Sequence, residues 1–290
     1  MYDLAALDSE LTGTLFAGKL HFSRSTSSTN ADALAAARCG EPHGSVYFAD
    51  EQTFGRGRAD HGWISAAGEG LYVSVLLRPQ IPAMYLPLLP LAAGLAAAEA
   101  IRAVSGLTTD LRWPNDLLIG PRKAGGILVE AAIHSEGPPH AVVLGIGINV
   151  HQRSFPLDLA TPATSLDLET GAPSDRFSSL GWQTGAPSDR FSSLGWKSHR
   201  TISRQVLLVA LLKSLQREAC TLSDPAVAAT IVARVEQAST WARGRNVEVH
   251  GPQACTGVTA GLDKNGFLRV KTANGFVTVQ TGGLRAAEKD

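Results

Sequence analysis

The stretch that decides the fold is Arg112-Trp-Pro-Asn-Asp-Leu-Leu-Ile-Gly-Pro-Arg-Lys-Ala-Gly-Gly-Ile-Leu-Val-Glu130. Proline forces the residue before it into an extended conformation, and the Asn-Asp pair after it suits a tight turn. The apolar runs Leu117–Ile119 and Lys123–Glu130 then predict a β-hairpin that carries Lys123 near its turn. Strands spaced this closely favour an antiparallel or mixed sheet over a doubly wound parallel one.

The chain on both sides of this hairpin predicts further strands and flanking helices. Helix 31–38 is expected to have Thr29 or Asn30 as its N-cap. No strand leads into a GxGxxG–helix unit or a P-loop, so nucleotide-binding folds of those kinds are unsupported. The predicted fold class is therefore α+β, a mixed and largely antiparallel sheet with flanking helices. Strands are predicted at 19–22, 45–50, 71–77, 107–113 and 141–150, and helices at 31–38, 86–104, 203–218 and 225–241.

The pattern changes after Gly244 to short alternating strands, at 246–250, 254–262, 267–271 and 276–280. Asn265-Gly266 and Asn274-Gly275 are hairpin turns between them. This pattern predicts a small C-terminal β-barrel. The chain thus divides into a domain of residues 1–242 and a second of residues 243–290.

A tandem copy lies within residues 171–198. Gly-Ala-Pro-Ser-Asp-Arg-Phe-Ser-Ser-Leu-Gly-Trp occurs at 171–182 and again at 185–196. One repetition of so short a unit does not make a solenoid. Its Gly, Pro and Ser content predicts a surface loop lengthened by duplication, which costs little because loop-closure entropy grows slowly with length.

The composition excludes several classes of protein. The apolar fraction is 44% and the formal net charge is zero, so no global field draws the chain to nucleic acid or to an anionic membrane. Three widely spaced cysteines fit a reducing cytosol. The most apolar stretch, 84–98, contains Pro87 and Pro90 and is too short and interrupted to span a bilayer. We expect a soluble, cytoplasmic protein with no membrane partner.

The segment Gln52-Thr-Phe-Gly-Arg-Gly-Arg-Ala-Asp-His-Gly-Trp63 is the first candidate for chemistry. Glycine permits close approach of the backbone, and the arginine fork suits phosphate or carboxylate. Such a loop is able to stay open without ligand and wrap an anion when one arrives, but a short Gly/Arg loop considered on its own is more often only a solvated turn. Two further features offer polar or accessible groups: the hydroxyl-rich Ser28-Thr-Asn30 beside a helix N-terminus, and the glycines of Gly145-Ile-Gly-Ile-Asn149.

Taken in chain order, the Ser28, Gln52, Arg112, Lys123 and Gly145 motifs closely resemble those of the biotin–protein ligase family, biotin–[acetyl-CoA-carboxylase] ligase. The resemblance extends from about residue 20 to 285. It implies a class II synthetase-like catalytic domain followed by an SH3-like barrel. It also implies that biotin's carboxylate attacks the α-phosphate of ATP, and that a lysine of a biotin carboxyl carrier protein then takes biotin from the adenylate.

The residue types suit that reaction, because a carboxylate and a polyphosphate repel one another and need cations between them. The resemblance implies biotin and ATP as ligands and Mg²⁺ on the phosphates, without indicating the metal-binding residues. Asp116 is expected to orient or deprotonate the incoming lysine, or to assist the metal. The implied site residues are Lys123, Arg56, Arg58 and Asp116 for chemistry, and Ser28, Thr29, Asn30, Gln52, Gly57, Trp63, Gly125, Gly126 and Asn149 for binding.

Three departures from the family pattern stand out. The last Arg-Gly-Arg of the family's loop is Ala59-Asp-His61 here, which removes one cation and replaces another by a titratable histidine. Arg112 stands where lysine is usual. Gly282-Gly283 stands where an acidic residue is expected after the first glycine.

Two other functions compete with the ligase. A lipoate–protein ligase shares the fold and the two-step reaction, but the Gly-Arg-Gly-Arg and Trp-Pro-Asn-Asp motifs disfavour it. A non-enzymatic biotin-sensing regulator is disfavoured by the neutral charge, since DNA affinity depends largely on phosphate neutralisation. Only about twenty residues precede the first strand, so we expect no winged helix and no specific DNA binding. A homodimer is left open.

Overall fold

The computed structural model describes residues 2–58, 61–78, 83–132, 141–171, 201–219, 222 and 224–287. The second copy of the tandem repeat, and all of the first except Gly171, lie outside these residues. The prediction of a surface loop at 171–198 therefore stays a prediction.

A seven-stranded sheet forms the centre of the molecule, in the order β1-β2-β3-β7-β6-β5-β4. The β1–β2 pair is parallel and every other pair in this sheet is antiparallel. The predicted fold class, a mixed and largely antiparallel sheet with flanking helices, is confirmed. The strands are β1 (Leu20–Thr26), β2 (Val46–Gln52), β3 (Gly70–Leu77), β4 (Asp110–Arg112), β5 (Asp116–Ile119), β6 (Arg122–Ala132) and β7 (Ala141–Asn149).

Within the described ranges, six α-helices accompany the sheet. They are α1 (Leu4–Glu10), α2 (Thr29–Arg38), α3 (Leu89–Ser105), α4 (Leu166–Thr170), α5 (Arg204–Glu218) and α6 (Pro225–Gln237). A 3-10 helix, Ala83–Leu88, leads into α3. The expected N-cap of α2 was wrong: Ser28 occupies that position, and its side chain makes no capping bond within the described chain. Helix α6 also ends four residues earlier than predicted, at Gln237 rather than 241, and α4 was not predicted.

The two faces of β3 serve different purposes, because successive side chains in a strand point to opposite sides. Leu71, Val73, Val75 and Leu77 belong to the main core, which also contains the buried faces of α3 and α5. On the opposite face Leu76 packs with Ala33 and Ala37 of α2. Ser74 shares that second face, so a polar group lies directly beneath the N-terminus of α2.

The helical stretch Tyr85–Ser105 has the length and composition of a membrane span, with 21 residues and a mean hydropathy of 1.4. The sequence predicted a stretch too short and interrupted for this. Over half of its most apolar window, 56%, is buried inside the protein. Its place against the sheet and α5 is that of an interior helix.

The C-terminal part is a five-stranded antiparallel sheet in the order β11-β10-β9-β8-β12. Its last strand, β12, was not predicted. The sheet packs on the part of the chain that contains the seven-stranded sheet: Trp113 Nε1 donates to the carbonyl of Gly266 at 3.0 Å, and one continuous apolar core includes side chains of both sheets. The domain boundary at residue 243 stays a prediction. The strands are β8 (Arg243–His250), β9 (Cys255–Leu262), β10 (Leu268–Thr272), β11 (Gly275–Val279) and β12 (Gly283–Ala286).

Candidate functional site

A buried polar network forms one wall of the site where α2 begins. Gln52 Oε1 accepts from the backbone N–H of Thr29 at 2.9 Å and from its hydroxyl at 3.1 Å. Ser74 Oγ lies 2.8 Å from Thr29 Oγ1 and 2.5 Å from Asn30 Oδ1. The hydroxyl and amide groups predicted to cap the helix are thus turned inward. They give this wall both donors and acceptors.

Two glycines of β7 are required by close approaches, as the sequence suggested, but the protein's own side chains make those approaches. A Cβ on Gly145 would lie 2.1 Å from Asn30 Oδ1. A Cβ on Gly147 would lie 2.6 Å from the indole nitrogen of Trp63. Any side chain on either residue would therefore displace a wall of the site.

The Gly/Arg loop is folded back on itself. Trp63 N donates to Gly55 O at 2.8 Å, and Gly57 N donates to His61 O at 2.6 Å. Ser65 Oγ accepts from Gln52 Nε2 at 2.8 Å and so ties the base of the loop to the polar wall. These hydrogen bonds give the described residues of the loop a closed, hairpin-like shape.

Trp63 closes the loop over the site. A Cβ placed on Gly126 would lie 3.4 Å from the indole ring, and Lys123 Nζ lies 5.5 Å from the ring centroid. The indole N–H is buried, and no described residue accepts a hydrogen bond from it. A buried donor without an acceptor is costly, so this N–H is available to a ligand.

The two arginines of the loop diverge. Arg56 pairs with Glu130 Oε2 at 3.1 Å, and the same oxygen accepts from Asn30 Nδ2 at 2.7 Å. Arg58 donates instead to the carbonyl of Gly282 and to the hydroxyl of Thr281, each at 2.9 Å. Glu130 was not predicted as a site residue on its own, although it ends the hairpin motif. Thr281 carries no local sequence signal, because only the fold brings it to the loop.

Lys123 and Asp116 are brought together as an ion pair, with Nζ 2.5 Å from Oδ1. Arg112 holds the other carboxylate oxygen through Nε at 3.1 Å and through NH2 at 2.6 Å. Burial raises the pKa of Asp116, but the Lys123 and Arg112 cations outweigh burial and hold that pKa below its ordinary value. A carboxylate so firmly ionised, with both oxygens occupied, is poorly suited to take a proton from an incoming lysine.

The structure places two predicted binding residues behind the site. Asn149 is buried, and its Nδ2 donates to Thr164 O at 2.9 Å. A Cβ on Gly125 would meet Gly147 O at 2.9 Å, within the sheet. Neither residue lines the cavities described below. These contacts hold β7 and β6, the strand that carries Lys123, together, and a direct contact of either residue with a ligand stays a prediction.

Two cavities meet at the Gly/Arg loop. A cleft of about 1080 Å³ opens between the loop, the Trp113-Pro-Asn turn and the C-terminal sheet. A smaller cavity of about 60 Å³ lies under the loop. Arg56, Gly57, Arg58 and Trp63 line both. The small cavity is also lined by Ser28, Thr29, Asn30, Gln52, Lys123 and Gly126, which gathers most of the predicted site residues around one space.

The chain is similar to known proteins in sequence and in fold. Residues 22–149 match the model of the Biotin/lipoate A/B protein ligase family. The chain is 43% identical over 152 residues to the bifunctional ligase/repressor BirA of Bacillus spizizenii, covering 52% of this chain and 46% of that protein. It is 42% identical over 154 residues to the biotin–[acetyl-CoA-carboxylase] ligase of Mycobacterium tuberculosis, covering 51% and 55% respectively. The chain spans about half the length of these curated relatives.

Solved structures extend the likeness to almost the whole chain. The biotin protein ligase from Aquifex aeolicus in complex with biotin and ATP superposes with a TM-score of 0.71 and 26% identity. That match covers 93% of this chain and 100% of the other. Residues 22–149 are therefore similar to the biotin/lipoate A/B protein ligase family, and the solved structure has the same fold over almost the whole chain. The biotin–[acetyl-CoA-carboxylase] ligase of Mycobacterium tuberculosis and the Aquifex aeolicus structure are, by their names, biotin ligases.

Proposed function

We propose that this protein is a biotin–protein ligase, which forms biotinyl-5′-adenylate from biotin and ATP and then biotinylates a lysine of a biotin carboxyl carrier protein. One observation carries the proposal. Lys123 lies at the edge of a cavity whose wall is the buried polar network, with Arg56 and Arg58 at its mouth. Cations and a polar wall around one space are what a carboxylate-bearing, hydrogen-bonding ligand requires.

The polar wall suits the ureido ring of biotin, which offers two N–H donors and a carbonyl acceptor. Thr29, Asn30 and Gln52 present hydroxyl and amide groups of both kinds in fixed orientations. Each is already held by a partner within the wall. Binding would therefore need little reordering of side chains, which favours affinity.

The first step brings the biotin carboxylate to the α-phosphorus of ATP and expels pyrophosphate. Lys123, Arg56 and Arg58 are the cations that offset the repulsion between the two anions. Asp116 acts as a positioning residue in this proposal, because its ionised carboxylate holds Lys123 Nζ at 2.5 Å. In the second step the acceptor lysine attacks the acyl carbon of the mixed anhydride and AMP leaves.

The described residues do not fit a dedicated metal centre. Among them, no three His, Cys, Asp or Glu side chains cluster in a way that would hold an ion. The Asp116 oxygens face Lys123 and Arg112. Mg²⁺ commonly binds through substrate phosphates with few protein ligands. We therefore treat Mg²⁺ as part of the nucleotide substrate, and no step depends on a protein-bound metal.

The partner in this proposal is a biotin carboxyl carrier protein, as the name of the Mycobacterium tuberculosis relative suggests for that protein. We place the reaction in the cytoplasm, where ATP is supplied. The free thiols Cys39 and Cys255 suit its reducing conditions. The formal net charge of the chain is zero, which gives no reason to propose DNA as a partner.

Mass spectrometry tests the proposal directly. A carrier-protein domain incubated with the enzyme, biotin and ATP should gain the mass of one biotin, and omission of ATP should abolish the gain. ATP/pyrophosphate exchange measured in parallel should respond to biotin. Exchange that responds to lipoate and ignores biotin would instead identify a lipoate ligase.

A further inference from the structure

Arg58 connects the Gly/Arg loop to the C-terminal sheet. NH1 donates to Gly282 O and NH2 to Thr281 Oγ1, both at 2.9 Å, while Asn115 Oδ1 lies 3.5 Å from NH1. Two donors of one planar guanidinium bound to adjacent residues fix its plane as well as its position. This contact crosses more than two hundred residues of sequence, so it exists only when the C-terminal sheet is in place.

The turn between β11 and β12 has a shape set by its own sheet. Gly282 has φ +145°, and a Cβ there would lie 2.3 Å from His250 O. The next residue, Gly283, pairs with His250 in the β12–β8 ladder. Because only glycine fits at 282, the direction of its carbonyl is determined by the C-terminal strands.

The position so fixed matters for the ligand, because Arg58 lines both cavities. The two acceptors in the turn are uncharged, so they orient the guanidinium without neutralising its charge. A guanidinium has five N–H groups, and the turn occupies two of them. Apart from the long contact of NH1 with Asn115 Oδ1 at 3.5 Å, the other donors and the charge of Arg58 are left for an anion between the cavities.

We propose that Thr281 is a positioning residue: with the Gly282 carbonyl it holds Arg58 where that cation retains the adenylate between the two half-reactions. The C-terminal sheet thereby takes part in catalysis through Arg58. This inference rests on the proposed ligase function. The role of Thr281 does not depend on which acceptor protein is used, because it concerns only the retention of the adenylate intermediate.

The test is adenylate release from the full-length enzyme, measured with labelled biotin and ATP in the absence of carrier. Thr281→Val keeps the shape and removes the hydroxyl, and it should release adenylate about three- to tenfold faster, as expected for loss of one exposed charge-assisted hydrogen bond. Thr281→Ser should restore retention. Thr278→Val, on the exposed face of β11, is the matched control and should release adenylate at the wild-type rate.

A double-mutant cycle separates positioning from a merely structural effect. Arg58→Ala should itself speed release, and adding Thr281→Val to it should cause no further change, because the two residues act as one unit. Release from Thr281→Val at the wild-type rate, or an undiminished Thr281 effect in the Arg58→Ala background, would overturn the inference. Failure of the wild-type enzyme to form any adenylate would instead overturn the proposed function.

Discussion

Lys123 is held in place by groups of the protein itself. Its ammonium lies 2.5 Å from the Asp116 carboxylate, which is 14% exposed and is also held by Arg112. A charge fixed in advance needs no reorganisation when negative charge develops on the substrates, and this is the main source of electrostatic catalysis. The sequence predicted Lys123, Asp116 and the loop arginines from local motifs. It did not predict that Asp116 would be clamped by two cations, because that depends on how β4, β5 and β6 align.

Replacing Lys123 should remove the first half-reaction. We expect Lys123→Ala to lower biotin-dependent ATP/pyrophosphate exchange by about 100-fold or more, the range seen when one preorganised donor is lost. Lys264→Ala, an exposed lysine in the β9–β10 turn, serves as the control and should retain full exchange. Near-normal exchange by Lys123→Ala would remove the central role assigned to this residue.

Asp116 should make stability depend on pH in the acid range. Its pKa is lower in the folded chain than the ordinary value of 3.8, so the folded state binds this proton more weakly than the unfolded state. The stabilisation is therefore complete above pH 3.8 and is lost as the pH falls through the folded-state pKa.

Asp116→Asn tests this dependence by denaturant unfolding at several pH values. At pH 7 the variant should lose about 3 kcal/mol, because the buried Arg112 and the partly buried Lys123 are left without their carboxylate. The difference from wild type should narrow as the pH falls below 3.8. The exposed Asp158→Asn is the control. A difference that stays constant with pH would show that Asp116 is not the titrating group.

The strands and helices were predictable from the sequence where neighbouring residues determine them, through alternating apolar residues or turn-forming residues. The hairpin of β5 and β6, the buried strands β3 and β7 and the Asn-Gly turns all follow from alternation and turn residues. The predicted N-cap of α2 was wrong because Thr29 and Asn30 form hydrogen bonds with Gln52 and Ser74, which are distant in the sequence. Strand β12 was missed because its four residues become a strand only by pairing with β8.

Strand β7 and helix α2 should be sensitive to one methyl group. A Cβ at Gly145 would meet Asn30 Oδ1 at 2.1 Å, so Gly145→Ala must push Asn30 away from Ser74. We expect a loss of about 1–3 kcal/mol, typical of overpacking, together with weaker biotin binding. Denaturant unfolding and calorimetric titration with biotin measure the two effects.

Gly94→Ala is a matched control for that substitution. A Cβ at Gly94 would lie 3.6 Å from its nearest neighbour, an ordinary contact, and alanine favours the interior of α3. This variant should be as stable as wild type or slightly more so. Equal destabilisation by both substitutions would mean that the contact with Asn30 is not the cause.

The tandem repeat should be dispensable. Deleting residues 171–184 removes one copy and leaves the other. The sequence predicts that this segment is a surface loop, and shortening such a loop changes the closure entropy only slightly. Biotin transfer to a carrier domain should therefore remain within about twofold of wild type, since the loop term is a fraction of a kcal/mol. A large loss of transfer would mean that the duplicated segment contacts a substrate.

At the scale of the whole molecule, the seven-stranded sheet and the C-terminal sheet share one apolar core. The buried side chains of Leu88, at the end of the 3-10 helix, and of Leu91, in α3, lie against the β9–β10 turn. A Cβ on Gly266 would lie 2.7 Å from Leu91 and 2.9 Å from Leu88. The change of sequence pattern near residue 243 predicted the separate sheet correctly. It could not predict how closely the sheet packs, since side-chain contacts between distant segments leave no periodicity in the sequence.

A shared core makes the two sheets one cooperative unit of unfolding. Differential scanning calorimetry should give a single transition whose calorimetric and van't Hoff enthalpies agree. A chain ending at Ala242 would expose leucines of α3 that are buried in the full chain, and it would remove the hydrogen-bond acceptor of Trp113 Nε1, the carbonyl of Gly266. The shortened chain should therefore unfold at a lower temperature and bind hydrophobic dyes. Two resolved transitions would mean that the sheets fold independently. If they melt together, the C-terminal sheet cannot be exchanged between relatives as a free module without refitting the surface beneath it.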